Sequence, residues 1–254
     1  LNEEDFKEWE KVKKAFLAHV SGQEAKNDAP WELRVDSQRK DLAQFFQTAD
    51  PSWKIQKHSV RLEHPGTTAD VDYLICPHSF DFFQTDYKIE YRIAEGAGGI
   101  FLCGIHNPFL SPDENGYTVH FHDNRLIVKR NANTVNFRML DEKPREIAVV
   151  KAGPIITVSV NGRDVMRHID DIPFYSDHQA LNRFGLCTHG TETYLSFRMH
   201  TRPSVYNYDA LKGFRKPVRF RNDEGNQYEM QVVPGLYINT MKNFLLMREL
   251  GEVA

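Results

Sequence analysis

Between Trp53 and Thr201 apolar residues return at every second position, in short runs separated by turn residues. That alternation constrains the fold more than any other feature of the chain. Tyr87, Ile89, Tyr91 and Ile93 alternate with Lys88, Glu90 and Arg92; Tyr117, Val119 and Phe121 alternate with Thr118, His120 and His122. Further strand-like runs cover Trp53–Ile55, Val60–Leu62, Ile100–Ile105, Arg125–Arg130, Ile147–Val150, Ile155–Val160, Val165–Ile169, Phe184–Thr188 and Tyr194–His200. Asp123-Asn124 marks a tight turn, Gly96–Gly99 a glycine-rich one, and Asn161-Gly162 is the strongest short hairpin signal present. About ten short strands with no helix between them predict a mainly β protein, an antiparallel β-sandwich or jelly roll, and exclude a parallel α/β sheet.

The flanks have other periods. Asn2–Val20 predicts a helix, with Asn2 as its cap and Phe6, Trp9, Val12, Phe16 and Leu17 in one stripe. A second short helix is expected over Ser37–Gln47, stopped by Asp50-Pro51. After Arg202-Pro203, Val218–Arg221 and Tyr228–Val232 predict a hairpin, and Tyr237–Leu250 an amphipathic helix. The expected organisation is therefore an N-terminal helical extension (1–50), a β-sandwich (51–203), and a hairpin and helix appendage (204–254). The end helices are candidates for docking neighbouring domains or subunits.

Of the 254 residues, 26% are charged and the net charge is −3, which provides no basic footprint for nucleic acid. No apolar run reaches the ~20 residues of a membrane helix. Cys76, Cys103 and Cys187 form no close pair and sit in apolar settings, as buried free thiols do. The odd cysteine count and the charged first twenty residues favour a cytoplasmic location, although the Leu1 start would suit a segment of a longer protein.

Four stretches in order carry a family resemblance: DYKIEYRIAEGAGGIFL (Asp86–Leu102), GYTVHFHDN (Gly116–Asn124), ITVSVNGRDV (Ile156–Val165) and RFGLCTHGTETYLSFRMH (Arg183–His200). Together they resemble the bacterial 3-keto-disaccharide hydrolases, a branch of the concanavalin-like lectins and glucanases. The resemblance implies two curved sheets with a sugar lying across the concave one. It also implies an acidic residue after the Gly-Tyr pair, where this chain has Thr118, and an arginine in the preceding strand, where it has Cys103. Both departures fall on the expected sugar face and argue against inherited hydrolase chemistry.

Glycoside hydrolysis uses two carboxylates across the bond, and the glucanase string Glu-x-Asp-x-x-Glu does not occur. His120 and His122, two apart, share a strand face, and His106 ends the strand expected beside them. Three converging imidazoles would resemble a zinc site, but nothing in the sequence turns His106 inward, and no metal or cofactor is expected. Sugar recognition needs an aromatic face beside hydrogen-bonding side chains. The candidate ligand-binding residues are Phe101, His106, Asn107, Thr118, His120 and His122, with Tyr117 and Phe121 pointing into the core. Three functions remain open: a carbohydrate-binding module for an oligosaccharide or polysaccharide, within a larger glycan-processing protein; a hydrolase-like sugar enzyme using the histidine face; and a scaffold holding other domains.

Overall fold

The computed structural model describes residues 3–23, 27–46, 51–63, 72–76, 85–102, 116–130, 133–170, 184–206, 216–221, 225 and 227–232. The chain divides into two compact units: Asp28–Ile169 with Ser176–Ser204, and Leu1–Asn27 with Asp170–Tyr175 and Val205–Ala254.

The larger unit carries fourteen strands: β1 (Glu32–Asp36), β2 (Trp53–Ile55), β3 (Val60–Leu62), β4 (Asp72–Ile75), β5 (Thr85–Ile93), β6 (Gly98–Leu102), β7 (Tyr117–His122), β8 (Arg125–Arg130), β9 (Asn133–Met139), β10 (Glu146–Ala152), β11 (Ile155–Val160), β12 (Arg163–Ile169), β13 (Phe184–Thr188) and β14 (Glu192–Pro203). Eight of them form one sheet in the order β12-β11-β10-β5-β14-β3-β2, with β1 also on β14; six form the other, in the order β4-β13-β6-β7-β8-β9. The pairings are antiparallel throughout. This is the mainly β sandwich that the alternation requires.

Period-two burial assembles the core. In the eight-stranded sheet Tyr87, Ile89, Tyr91 and Ile93 are buried, and across from them so are Ile147 and Val149 on one side and Phe197 and Met199 on the other. Phe184 and Phe197, from opposite sheets, stack with ring centroids 6.0 Å apart, and Phe46 meets both edge-on. Tyr194 ties the sheets together: its hydroxyl accepts from the Gly99 N–H at 2.8 Å and lies 2.6 and 2.8 Å from the Cys187 and Gly99 carbonyls, either of which takes its proton. Burial raises the pKa of Tyr91 and Tyr194 well above the phenol range, so both stay neutral and able to donate.

The two short hairpins form as the turn signals predict. Asp123 and Asn124 have φ of +48° and +57°, and Asn161 and Gly162 have +49° and +79°. A two-residue turn with both central residues left-handed matches strand twist, and asparagine, aspartate and glycine tolerate it best. Asn161 also ties its turn to the start of β10: its Oδ1 accepts from the Arg145 and Glu146 N–H groups, both at 3.0 Å.

Three expectations need revising. Of the helix expected over Ser37–Gln47, the described residues 37–46 form no α-helix but a turn followed by a single 3-10 turn, Leu42–Gln44, capped by the Asp41 carboxylate. The Asp41 side chain accepts from the local Ala43 N–H, and Ser37 Oγ accepts from the distant Phe197 N–H of β14, instead of continuing a helix. Within the expected N-terminal extension, β1 pairs with β14 and belongs to the sandwich. Strands β4 and β9 also lie in stretches the sequence reading left unassigned.

In the smaller unit, α1 runs from Glu3 to Gln23, and β15 (Lys216–Arg221) pairs with β16 (Gln227–Val232) as the hairpin foreseen. Trp9, Phe16 and Val20 of α1 are buried, and Val12 and Leu17 are half-buried. Tyr237–Leu250 lies outside the described residues. Among the described residues no helix is long and apolar enough to cross a membrane.

Candidate functional site

The site follows from strand register in the six-stranded sheet. Gly99 pairs with His120, Phe101 with Thr118 and with Gly185, and Cys187 with Gly99. Paired residues share a face, so Phe101, Thr118, His120 and His122 stand together on the side turned away from the core, as the alternation predicts. Tyr117, Val119 and Phe121 occupy the core side and are buried.

That outer face is itself largely covered. Phe101 and Thr118 are fully buried and His120 is 1% exposed, so these three expected ligand contacts are inaccessible. The causes are specific. The Tyr73 ring of β4 meets Phe101 edge-on at 5.6 Å. Gly185 lets the Phe101 ring lie against the backbone, where a Cβ would come within 2.4 Å of it. His189, just past β13, lays its ring 4.7 Å from that of His120 and 4.9 Å from that of His122. Of the expected site residues, only His122 is both described and open to solvent; its Nε2 lies 3.3 Å from Asp123 Oδ2. His106 and Asn107 lie outside the described residues, as does Cys103. Among the described residues no group of three histidine, cysteine or acidic side chains is placed to hold a metal ion.

Beyond β7 the same face opens. Across β8 and β9, Lys129 pairs with Thr134, Ile127 with Phe137 and Arg125 with Met139, and a bulge between Val128 and Lys129 brings Thr134 and Phe137 onto one face despite their odd spacing. Arg125, Ile127, Thr134, Phe137 and Met139 line a groove of about 260 Å³. Phe137 is 65% exposed and Met139 57%, the two most exposed large apolar side chains described. Their exposure follows from topology: β9 is the edge of its sheet, with no strand beyond it. The register with His122 continues the row, since His122 pairs with Arg125 across β7 and β8. The arrangement offers a flat aromatic and apolar floor with Thr134, Arg125 and His122 as hydrogen-bonding groups around it.

The expected residues lie on the same sheet face as this groove, one to two strands nearer the sheet centre. Val135, Phe137 and Met139 recur at alternate positions, a strand signal that would have found β9. His189 could not have been found in this way, because its contact with β7 is long-range.

No family model and no curated protein matches the sequence. Solved structures similar in shape include the VIP36 exoplasmic/lumenal domain in its Ca2+/Man3GlcNAc-bound form (TM-score 0.47, 8% identity, covering 70% of this chain and 93% of that one). Also similar are carbohydrate-binding module CBM66 from Bacillus subtilis (TM-score 0.42, 14% identity, 59% and 91%) and lectin I-B4 from Griffonia simplicifolia (TM-score 0.42, 13% identity, 70% and 94%).

Proposed function

We propose that the protein is a lectin-like carbohydrate-binding module that holds an oligosaccharide or polysaccharide over β8 and β9, with Phe137 as the platform for a sugar ring. The observation that carries this reading is the open groove: an aromatic ring two-thirds exposed beside Ile127, Thr134 and Arg125. A pyranose has an apolar C–H face and a rim of hydroxyls, so it pairs with a ring floor and a polar border. Among the described residues, most of the Phe137 surface makes no contact within the protein.

Binding without catalysis is the form of this reading that the side chains support. Hydrolysis of a glycosidic bond calls for two carboxylates facing it. The outer-face residues of β6, β7, β8 and β9 include no acid, and Asp123, on the β7–β8 turn, is beside His122. The finer resemblance, to 3-keto-disaccharide hydrolases, thus bears on the type of ligand rather than on a reaction. A module of this kind would work beside other domains or subunits of a glycan-processing protein; sedimentation of the chain with and without candidate neighbours tests that part.

The direct test is a glycan array followed by titration of the best ligands into wild type and Phe137→Ala. Binding of at least one glycan class, weakened by the substitution, is the expected result. An absence of binding to every glycan at millimolar concentration would remove the proposal.

A further inference from the structure

We propose that β9 is a pairing edge for a second copy of this chain, joined antiparallel across a two-fold axis so that two six-stranded sheets run on as one. In an antiparallel pair, residues that exchange main-chain hydrogen bonds alternate with residues whose N–H and C=O groups point the other way. The Leu140 N–H donates to the Asn124 carbonyl at 2.8 Å, and the register continues as Arg125 with Met139, Leu126 with Arg138 and Ile127 with Phe137. Leu140 and Arg138 are therefore the bonded partners of β8, whereas Met139 and Phe137 turn their N–H and C=O groups away from it. Among the described residues no strand lies beyond β9. The same two residues thus present bare hydrogen-bonding groups along the edge and exposed apolar side chains on the outer face.

The other strands at the sheet margins are guarded in the usual ways, by shortness or by charge. β2 has three residues and β4 has four. β1 carries Glu32, Arg34 and Asp36, and β12 carries Arg163, Asp164, Arg167 and His168. β9 has seven residues, no proline and one charged side chain, Arg138, whose Nη1 donates inward to the Val165 carbonyl at 2.6 Å.

Self-pairing fits the sequence of this edge. With the axis at Phe137, that residue meets its own copy, Met139 meets Val135 of the copy, and Arg138 meets Asn136. Apolar side chains then lie opposite apolar ones and no like charges oppose each other; an axis at Arg138 would set two guanidinium groups face to face. A closed two-fold pair also needs no other component and leaves neither β9 bare. Paired residues share a face, so the row from Ile127 to Phe137 continues into Phe137 and Ile127 of the copy, three strand spacings or ~14 Å across. Each subunit supplies half of one apolar floor. That use of the floor rests on the carbohydrate reading above; the pairing itself does not.

The test is sedimentation velocity of the full chain without sugar, from about 1 to 200 µM, the range in which a small interface associates. The expected mass rises from 29.5 kDa to twice that value and stops there. Met139→Pro removes an outward N–H while leaving the ladder to β8 intact, and should hold the chain at the monomer mass, with circular dichroism to verify the fold. Phe137→Cys places a thiol opposite its own copy at ~5.5 Å between Cα atoms, within disulfide reach. On mild oxidation it should give a covalent dimer. Wild type should not, and neither should Thr134→Cys, whose copy lies ~20 Å away along the paired strands. If Met139→Pro fails to fold, the cysteine variants decide. A wild-type chain that stays monomeric throughout would overturn the proposal. Association continuing past two copies, a Met139→Pro dimer as strong as wild type, or cross-linking at Thr134→Cys equal to that at Phe137→Cys would overturn it too. A cross-linked dimer that binds no glycan would uphold the pairing and remove only the carbohydrate reading.

Discussion

Phe137→Ala separates stability from ligand binding at one residue, and its effect can be worked from exposure. Fully burying a phenylalanine side chain is worth ~1.5–3 kcal/mol. Phe137 is 65% exposed, so about a third of that value is already realised in the folded protein. Truncation should therefore cost only ~0.5–1 kcal/mol of folding stability. The remaining two-thirds, ~1–2 kcal/mol, is available to a ligand that covers the ring, which amounts to about 5- to 30-fold in Kd. Phe121, on the neighbouring core face and fully buried, supplies the contrast: Phe121→Ala should cost ~3–5 kcal/mol of stability. Urea unfolding gives the two stability values, and titration with the glycan selected on the array gives the Kd ratio for Phe137→Ala. If Phe137→Ala destabilised the fold as much as Phe121→Ala, the ring would be a packing residue and the platform argument would fail. An unchanged Kd would refute it equally.

Three further outcomes follow from the geometry. Gly99→Ala should destabilise by ~1–3 kcal/mol or more in thermal or urea unfolding, because its Cβ would lie 2.4 Å from the Val119 carbonyl oxygen and 2.5 Å from the His120 Cα, backbone that cannot move aside; a neutral or stabilising result would contradict the tight β6–β7 approach. Asn161→Ala should lose ~1–2 kcal/mol, since it removes the acceptor for the Arg145 and Glu146 N–H groups and puts alanine at φ +49°, and an unchanged urea midpoint would count against the hairpin's role. Glu192 gives a pH effect. Its fully buried carboxylate accepts from the Ala94, Glu95, Thr193 and Ala97 N–H groups at 2.7–2.8 Å. Burial raises its pKa above the usual glutamate range, helped by a hydrogen bond with Glu95 and opposed by the backbone donors of Glu95, Ala97 and Thr193. A raised folded-state pKa means the native protein binds the proton more tightly than the unfolded chain. The stability contributed is thus full below the unfolded glutamate pKa and is lost as pH rises through the folded value. Glu192→Gln should flatten that part of the stability–pH curve, and parallel wild-type and variant curves would refute the assignment.

Local periodicity made most of the fold legible. It placed β5, β7, β8, β11 and β14, and the turn residues Asp123-Asn124 and Asn161-Gly162 fixed two hairpin registers. It also put Phe101, Thr118, His120 and His122 on one face. What it could not show was what lies above that face, because a covering residue comes from a distant part of the chain. Tyr73 is 28 positions from Phe101, and His189 is 69 from His120, so no local pattern links them. The glycines held part of the answer. Gly99 and Gly185 are strand residues with no room for a Cβ, which marks close approach above the sheet rather than an open groove. The missing second helix has a different origin. Leu42, Phe45 and Phe46 suggest an apolar helix side, but the chain needs only Leu42 and Phe46 in the core, and a 3-10 turn delivers both.

The position of the groove is thus a consequence of sheet order. Strands β13, β6 and β7 are interior to their sheet and are buried on both faces almost throughout, so a ligand has no access there. The margin at β8 and β9 is where the cover ends. An edge strand with exposed Phe137 and Met139 is a hazard, since bare edges and apolar patches recruit other chains. The protein limits the hazard on the inner side, where Arg138 Nη1 donates to the Val165 carbonyl of β12, the edge strand of the opposite sheet, at 2.6 Å. On the outer side it leaves the two side chains uncovered and brackets the apolar floor with Arg125 and Lys129. If solubility alone governed this face, polar residues at 137 and 139 would fill it at no cost to the core, which neither side chain enters. Two exposed apolar side chains that the core does not use, set against a histidine row whose His120 is buried, are the structural reason for proposing ligand contact at this margin rather than at the sheet centre.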